Sequence, residues 1–200
     1  MYGLVLAGGG AKGAFQIGVW RALKELEIEV GLVCGTSVGA LNGALFAQNQ
    51  YDEALAMWQN INMSTVFDAD TEILDNIDEI AQGGISKTNL QLFKKAYDHV
   101  VSNKGLNVGP LREMISNLLN EDLMESTGIE FGFVTLSITD RKPLRIFASE
   151  IPKGELKYYL LGSALVPGFN QDENHPLKFI DGGVYDNFPI KMAIEKGYKD

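Results

Sequence analysis

The first 47 residues alternate between strand and helix patterns, and this alternation restricts the possible folds more than any other feature of the chain. An apolar run from Tyr2 to Ala7 precedes a helix pattern at 11–28, and a second apolar run ends at Cys34. The spacing predicts that the buried face of this helix comprises Phe15, Val19, Ala22, Leu23 and Leu26. A strand, a helix and a strand in this order predict two parallel strands joined by a right-handed crossover.

Later segments continue the same alternation. Helices are predicted at 38–49, 52–61, 88–101, 110–119, 155–164 and 189–196. Strands are predicted in FGFVTLSIT, PLRIFAS and LKFIDGG, with a turn at 140–142 between the first two. Neither a repeat nor a linker divides the chain, so we predict a single domain over residues 1–200. The predicted fold class is α/β, a three-layer sandwich with a central, mostly parallel sheet.

The composition is typical of an ordinary globular domain and excludes several classes of protein. Of the 200 residues, 46% are hydrophobic and 22% are charged, which argues against disorder. A net charge of −9 without clustered Lys or Arg argues against nucleic-acid binding and against simple electrostatic attachment to an anionic membrane. Cys34 is the single cysteine, so it forms no internal disulfide, and we expect it to be a small core residue.

The N-terminal sequence, MYGLVLAGGG, does not resemble a targeting segment. It has no basic region, and its apolar run is too short for a signal peptide. No stretch of the chain reaches the roughly 18 apolar residues that a membrane-spanning helix needs. These features predict a soluble protein in a reducing compartment, the cytoplasm.

Ser37 lies between two glycines, where a buried-strand pattern changes to a buried-helix pattern in GLVCGTSVGALNGALFA, residues 31–47. Gly35 and Gly39 permit a sharp strand-to-helix turn that strains the central residue and leaves its hydroxyl exposed at a helix N-terminus. A nucleophile needs such exposure. The Gly-x-Ser-x-Gly spacing alone is weakly specific, because the chain contains 22 glycines.

A second glycine-rich turn, GGGAKG at residues 8–13, connects the first strand to the first helix. The unpaired N–H groups and the helix dipole favour a negative charge there. A phosphate-binding loop of the Walker type is excluded, because Lys12 is followed by glycine and alanine instead of a hydroxyl residue. A dinucleotide-binding fingerprint remains open: Gly8, Gly10 and Gly13 satisfy it, with Glu27 or Glu29 as the acidic partner.

The alternative interpretation of this turn is an oxyanion hole. Its amides would then stabilise the negative oxygen that forms when Ser37 attacks an acyl carbonyl. The two turns follow parallel strands, so both lie at the carboxyl edge of the sheet. This interpretation gives a role to both motifs, and its candidate residues are Gly8, Gly9, Gly10, Ala11, Lys12 and Gly13.

A serine nucleophile also needs a base. His99 lies in an amphipathic helix pattern and is expected to be structural, whereas His175 lies in a polar loop and could form a triad with Asp140 or Asp172. Asp181 is the stronger candidate, since it ends a strand and is followed by Gly182 and Gly183. A free Asp has a pKa near 3.9, so burial would have to raise the pKa of Asp181 for efficient base catalysis at neutral pH.

The segment 62–86 stands apart because its acidic residues face no basic residue before Lys87. We expect a solvated acidic surface, with a mobile lid over the site as the alternative. The acidic residues are Asp68, Asp70, Glu72, Asp75, Asp78 and Glu79.

The chain resembles the patatin-like phospholipases in three motifs that occur in that family's order. GGGAKG is similar to the family's oxyanion loop, GTSVG to its nucleophile elbow, and DGG at 181–183 to its catalytic aspartate turn. The segments LLGSALVPGF and VYDNFPI also resemble those that flank the aspartate. The likeness covers nearly the whole chain and is least clear at 62–88.

The resemblance implies a Ser-Asp dyad without histidine, in which Ser37 is the nucleophile, Asp181 is the base, and the amides of Gly9, Gly10 and their neighbours are the oxyanion donors. It implies hydrolysis of lipid or related acyl esters through an acyl-enzyme, with no metal or other cofactor and with transient peripheral contact with membranes. Family domains usually continue beyond the helix at 189–196 into another strand, and we expect its absence before Asp200 to affect stability more than chemistry. The alternatives are a small-ester or thioester hydrolase and, from another class, a nucleotide-binding module.

Overall fold

Two apolar strands and the helix between them form the parallel unit that the N-terminal pattern predicts. The computed structural model describes residues 1–68, 105–165, 169–170 and 175–198. Strand β1, Tyr2–Leu6, pairs in parallel with β2, Val30–Thr36, and helix α1, Gly13–Glu25, connects them. A 3₁₀ turn at Gly10–Lys12 leads into α1, so the α-helix itself is shorter than the predicted 11–28.

The remaining elements follow the predicted alternation closely. They are α2 (Val38–Ala47), α3 (Tyr51–Asn60), α4 (Met63–Val66), α5 (Gly109–Leu118), α6 (Glu121–Thr127), β3 (Glu130–Ser137), β4 (Lys142–Phe147), α7 (Leu156–Ser163), β5 (Phe179–Asp181) and α8 (Ile190–Glu195). Pro110 occupies the first turn of α5, as expected. The predicted helix at 88–101 and most of the acidic segment lie outside the described residues.

Helices α4 and α6 were not predicted, because both are too short to show a clear apolar period. Their start signals are nevertheless in the sequence. The Asn62 side chain accepts hydrogen bonds from the N–H groups of Ser64 and Thr65, and Asn120 accepts one from Leu123. Asparagine at these positions satisfies N–H groups that lack partners within the helix.

Strand β3 lies at the centre of the sheet and determines where the other strands end. β4 runs antiparallel along one edge of β3 from Gly132 to Ser137. The other edge is shared: β2 pairs with it in parallel as far as Val134, and β5 pairs with it antiparallel as far as Thr135. The carboxyl ends of β2 and β5 therefore meet end to end at neighbouring residues of β3.

The sheet has helices on both faces, which confirms the predicted three-layer α/β architecture with its parallel core of β1, β2 and β3. The larger apolar cluster joins one face of the sheet to most of the helices. On the opposite face, Met192 and Ala193 of α8 pack against Leu32 and Cys34 of β2. Cys34 is a core residue, as predicted, and burial raises the pKa of its thiol to about 12.

The predicted buried face of α1 was wrong. Phe15 is 77% exposed and Leu26 is 69% exposed, and Ala22 is also exposed, whereas Val19 and Leu23 are half-buried. The buried residues are Gly13, Ile17 and Trp20, and the ring of Trp20 lies 4.6 Å from that of Phe46 in α2. Two apolar stripes of this helix have helical spacing, and the stripe that contains glycine and tryptophan faces the core because α1 closely approaches α2 and α3 there.

Two glycines within helices should respond oppositely to substitution by alanine. A Cβ at Gly39 would lie 2.3 Å from the carbonyl oxygen of Leu6, so Gly39→Ala should lower the free energy of unfolding by about 1–3 kcal/mol through overpacking. Gly18 in α1 has open space around it, so Gly18→Ala should raise that free energy by about 0.5–1 kcal/mol. Urea unfolding of both variants tests the pair, and an unchanged Gly39→Ala variant would contradict the close approach of α2 to β1.

Candidate active site

Ser37 occupies a strained turn between β2 and α2. It caps the N-terminus of α2 with φ 55° and ψ −130°, a backbone conformation that residues other than glycine seldom adopt. A Cβ at Gly35 would lie 2.3 Å from the carbonyl oxygen of Gly39, so glycine is required for the strand and the helix to approach so closely. The strand and helix therefore meet without a loop, and Ser37 stands at their junction.

Asp181 is the last residue of β5, and its carboxylate lies against the Ser37 hydroxyl. Ser37 Oγ donates a hydrogen bond to Asp181 Oδ2 at 2.6 Å, and Asp181 Oδ1 accepts one from the Gly183 N–H at 2.7 Å. At Gly182 a Cβ would lie 2.2 Å from the carbonyl oxygen of Val134, so glycine lets this turn pack on β3. The meeting of β2 and β5 end to end brings these two side chains together.

The environment of Asp181 changes its acidity. The residue is 5% exposed, and burial raises the pKa of its carboxyl above the ordinary value, while the hydrogen bonds from Ser37 and Gly183 lower that pKa in part. Burial is the largest of these effects. The carboxylate is therefore a stronger base than a free aspartate, and general-base catalysis near neutral pH needs such a shift.

Ser163 is a site residue that the sequence analysis did not identify. Its hydroxyl is completely buried at the end of α7, where it accepts a hydrogen bond from the Ser37 N–H at 3.0 Å and donates one to the Val134 carbonyl at 2.6 Å. The strained turn would otherwise leave the Ser37 N–H without an acceptor. Ser163 lies in the segment LLGSALVPGF, but no spacing rule connects it to Ser37.

The glycine-rich turn lies beside Ser37, and the amides at its two ends are hydrogen-bonded. The Gly8 N–H donates to the Asn187 carbonyl, the Lys12 N–H to the Gly9 carbonyl, and the Gly13 N–H to carbonyls in the preceding turn. A Cβ at Gly8 would lie 3.0 Å from the Ser37 Cβ, which shows how close the two turns are.

The free amides of this turn belong to its central residues. Within the described parts of the chain, the N–H groups of Gly9, Gly10 and Ala11 meet no acceptor. Gly10 has φ 56°, the left-handed region that favours glycine. Gly10 and Ala11 line the same cavity as Ser37. The turn can therefore present up to three amide donors near the Ser37 hydroxyl.

A buried polar network fixes both ends of the glycine-rich turn. Gln16 Nε2 donates to the Ala7 carbonyl at 2.8 Å, and Asn42 Nδ2 donates to the Gly13 carbonyl at 3.0 Å and to Gln16 Oε1 at 2.8 Å. Trp58 Nε1 donates to Asn42 Oδ1 at 2.8 Å, which completes the bonding of the amide. The only signal in the sequence was an asparagine inside an otherwise apolar helix.

His175 is engaged away from Ser37. Its Nε2 lies 2.8 Å from a Glu155 carboxylate oxygen, its Nδ1 accepts the Leu177 N–H, and its ring stacks on Tyr158. Asp140 instead exchanges hydrogen bonds with Ser137. These contacts give no support to a triad through Asp140, while Asp172 and His99 lie outside the described residues.

The geometry also argues against a dinucleotide site. Glu27 and Glu29 are exposed and precede β2, so they lie at the amino edge of the sheet, opposite the glycine-rich turn. The acidic residue of that fingerprint binds the ribose of a nucleotide held at the carboxyl edge. Neither glutamate can meet a ligand at Gly8–Gly13.

A cavity of about 980 Å³ opens at Ser37. Ser37, Gly10 and Ala11 line one part of it, and apolar side chains of α2, α3, α4 and α5 line most of the rest. None of its lining residues in the described ranges carries a charge. Such a volume is at the upper end of ligand pockets, and its apolar wall suits a hydrocarbon chain.

The described residues form neither a metal site nor a membrane-spanning helix. No group of three or more His, Cys, Asp or Glu side chains is arranged to hold a metal ion in these parts of the chain. Among the described helices, none combines the length and the apolar character that crossing a bilayer requires.

Comparison with protein families and curated sequences gives consistent matches. A family model for patatin-like phospholipase matches residues 4–194. The chain is 30% identical over 204 residues to patatin-like phospholipase domain-containing protein ZK370.4 of Caenorhabditis elegans. It is 29% identical over 205 residues to patatin-like phospholipase domain-containing protein 7 of Rattus norvegicus. Each match covers 98% of this chain but only 13% of the relative, so the chain spans a small part of these longer proteins.

Two further similarities concern a short segment and the fold. A stretch of 47 residues, 24% of this chain, is 55% identical to lysophospholipase nte1 of Aspergillus terreus and covers 3% of that protein. The crystal structure of VipD from Legionella pneumophila is similar with a TM-score of 0.57 at 19% identity, covering 94% of this chain and 47% of that one. At this identity the likeness to VipD concerns the fold alone.

Ser163→Ala should destabilise the protein and impair any reaction at Ser37. The variant leaves the half-buried Ser37 N–H without its acceptor, which should lower the free energy of unfolding by about 1–3 kcal/mol. It should also lower kcat more than it changes KM, because the nucleophile loses its fixed orientation. The control is Ser126→Ala, which removes an exposed hydroxyl and should change stability by less than about 0.5 kcal/mol. Equal stability of the two variants would contradict the role of Ser163.

Asp181→Asn should raise the free energy of unfolding at pH 7. Because the folded-state pKa of Asp181 is raised, the stability that this group contributes is fully present below its unfolded pKa, near 3.9, and is lost as pH rises through the folded pKa. Asparagine stays neutral and avoids that loss. Urea unfolding at several pH values should show a gain at neutral pH that shrinks towards pH 4. A variant less stable than the wild type at pH 7 would contradict the assigned effect of burial.

Proposed function

Because the chain belongs to the patatin-like phospholipase family, we propose that it is a lipid acyl hydrolase in which Ser37 attacks the acyl ester and Asp181 acts as the base. The observation that carries this proposal is the 2.6 Å hydrogen bond from Ser37 Oγ to Asp181 Oδ2. A nucleophile needs a base within hydrogen-bond reach, and this carboxylate is the base in contact with the hydroxyl.

In the first step, Ser37 Oγ forms a bond to the carbonyl carbon while its proton passes to Asp181 Oδ2. The raised pKa of Asp181 makes this transfer easier than it would be to an ordinary aspartate. The Gly183 N–H bonds to the other carboxylate oxygen, so Oδ2 stays directed at the serine. No imidazole takes part in this step.

The oxygen that becomes negative in this step is stabilised by backbone amides. The candidates are the free N–H groups of Gly9, Gly10 and Ala11, together with that of Val38, which begins α2 and has no partner within the helix. Amides fixed in advance at such a position stabilise the tetrahedral intermediate strongly. The network of Gln16 and Asn42 keeps the turn in place.

The remaining steps use the same two side chains. When the ester C–O bond breaks, protonated Asp181 gives its proton to the leaving alcohol, and the acyl group stays on Ser37 Oγ. Water then attacks the acyl carbon and gives a proton to Asp181, and Asp181 passes that proton to Ser37 Oγ as the bond between Oγ and the acyl carbon breaks. The products are a free acid and an alcohol, and both side chains return to their starting protonation states.

The cavity favours a long acyl chain over a small ester or a thioester of a small acid. Its volume of about 980 Å³ and its uncharged, apolar wall provide burial for many methylene groups, each worth about 0.8 kcal/mol. The substrates that fit are phospholipids or lysophospholipids, whose charged head groups would stay outside the apolar part. Transient contact with a lipid surface belongs to this proposal, and cytoplasmic location stays a prediction.

Covalent labelling tests the proposal directly. A fluorophosphonate should label the wild-type protein at Ser37, and Ser37→Ala should abolish both labelling and hydrolysis of a long-chain ester. Asp181→Asn should lower kcat by about 10² to 10⁴, the usual loss of a general base.

The matched control is His175→Gln, which removes an imidazole that contacts Glu155 instead of Ser37 and should keep most of the activity. A folded His175→Gln variant without activity would refute the dyad. A wild-type protein that neither reacts with the fluorophosphonate nor hydrolyses esters would refute the hydrolase itself.

A further inference from the structure

The large cavity at Ser37 has a small neighbour in the same helical layer. The small cavity has a volume of about 20 Å³ and an apolar wall formed mainly by α2 and α5. The two cavities share three lining residues: Leu41 of α2, Met57 of α3 and Met114 of α5. These three side chains form the partition between the two cavities.

The order of residues along the helices shows that the small cavity lies beyond the large one as seen from Ser37. Leu41 of α2 lines both cavities, while Ala44 and Leu45 of the same helix, and Gln48 immediately after it, line only the small one. Because α2 begins immediately after Ser37, Leu41 lies about 6 Å and Gln48 about 16 Å along the helix from the nucleophile.

Helix α5 repeats this order on the other side. Leu111 lines only the large cavity, Met114 lines both, and Ile115 and Leu118 line only the small one. The two helices therefore face each other across a path that leads away from Ser37 and is interrupted at the partition.

Two of the three partition residues are methionines, and all three are half-buried. Methionine is unbranched and flexible, so its side chain can change rotamer with little change in the surrounding structure. Among the described residues, Leu45 and Ile115 beyond the partition are buried and branched, and they would give a firm end to the path.

We propose that Met57 and Met114 set the acyl-chain length of this hydrolase, by separating the cavity at Ser37 from an extension between α2 and α5 that receives the end of a longer chain. This inference rests on the proposed hydrolysis of acyl esters. It adds the direction in which the chain runs and the two residues that limit its length.

The test compares long and medium chains in a double variant. We would measure kcat/KM for p-nitrophenyl palmitate and p-nitrophenyl octanoate with the Met57→Ala, Met114→Ala protein. The ratio of palmitate to octanoate should rise by about fourfold for each methylene newly buried, the factor that corresponds to about 0.8 kcal/mol. Met114→Phe keeps the partition filled and should lower the same ratio, so the proposal is tested even where the double variant does not fold.

The matched control is Met63→Ala, because Met63 lines the large cavity but not the small one. Its ratio should equal that of the wild type, whatever its absolute rates. An unchanged ratio in the folded partition variants, or an equal shift in the control, would overturn the proposal.

A binding measurement separates this proposal from the proposed reaction. We would measure the Kd values of palmitate and octanoate for Ser37→Ala protein, with and without the partition substitutions. The double alanine substitution should strengthen the binding of palmitate relative to octanoate by the same factor by which it raises the ratio of kcat/KM values. If the wild-type protein hydrolyses no ester but the partition substitutions change the ratio of Kd values, the proposed hydrolase activity is refuted and the proposed role of the partition stands. Turnover at Ser37 with no shift in either ratio would refute the partition alone.

Discussion

The shared edge of β3 is the constraint on which the candidate site depends. A strand has two edges, and β4 occupies one of them along the stretch where β2 and β5 use the other. β2 and β5 run in opposite directions, so their carboxyl ends meet at Val134 and Thr135. Ser37 follows one end and Asp181 forms the other, although 143 residues separate them in the chain. Backbone pairing therefore places the hydroxyl and the carboxylate in contact.

This arrangement costs stability at two points, and neighbouring groups limit the cost. Ser37 holds a positive φ, and Asp181 holds a carboxylate that burial disfavours in its charged form. Ser163 joins the Ser37 N–H to the Val134 carbonyl, at the same residue of β3 where β2 ends. Gly183 donates to the Asp181 carboxylate. The strain is local and lies where the proposed chemistry needs a fixed hydroxyl and a basic carboxylate.

The sequence predicted the features that depend on local chemistry. Glycine is required wherever a Cβ would meet backbone atoms, so Gly35, Gly39 and Gly182 could be identified as turn residues before their contacts were known. The alternation of strand and helix likewise predicted the layers of the fold. Both kinds of pattern can be recognised from residues that are close together in the sequence.

Features that depend on distant contacts could not be predicted. Ser163 accepts a hydrogen bond from Ser37, which is 126 positions away in the chain. The sequence around a single serine in a helix does not indicate such a distant partner. The prediction of the buried face of α1 was wrong because two apolar stripes of this helix have helical spacing. The packing of Trp20 on Phe46 distinguishes the stripe that faces the core. The order of the strands along β3 also had no signature. The position of Asp181 at a strand end and the family resemblance both identified it as the candidate base, but neither could give its contact with Ser37.

The pH dependence of kcat/KM in a variant without histidine, His99→Gln with His175→Gln, tests the central claim most directly. If Asp181 is the base, the acid limb of the profile should persist at the same midpoint as in the wild type, above the pKa near 3.9 of a free aspartate, since burial raises the pKa of Asp181. An acid limb near pH 6.5 in the wild type that disappears in the variant, together with the activity, would contradict the account and assign the base to an imidazole.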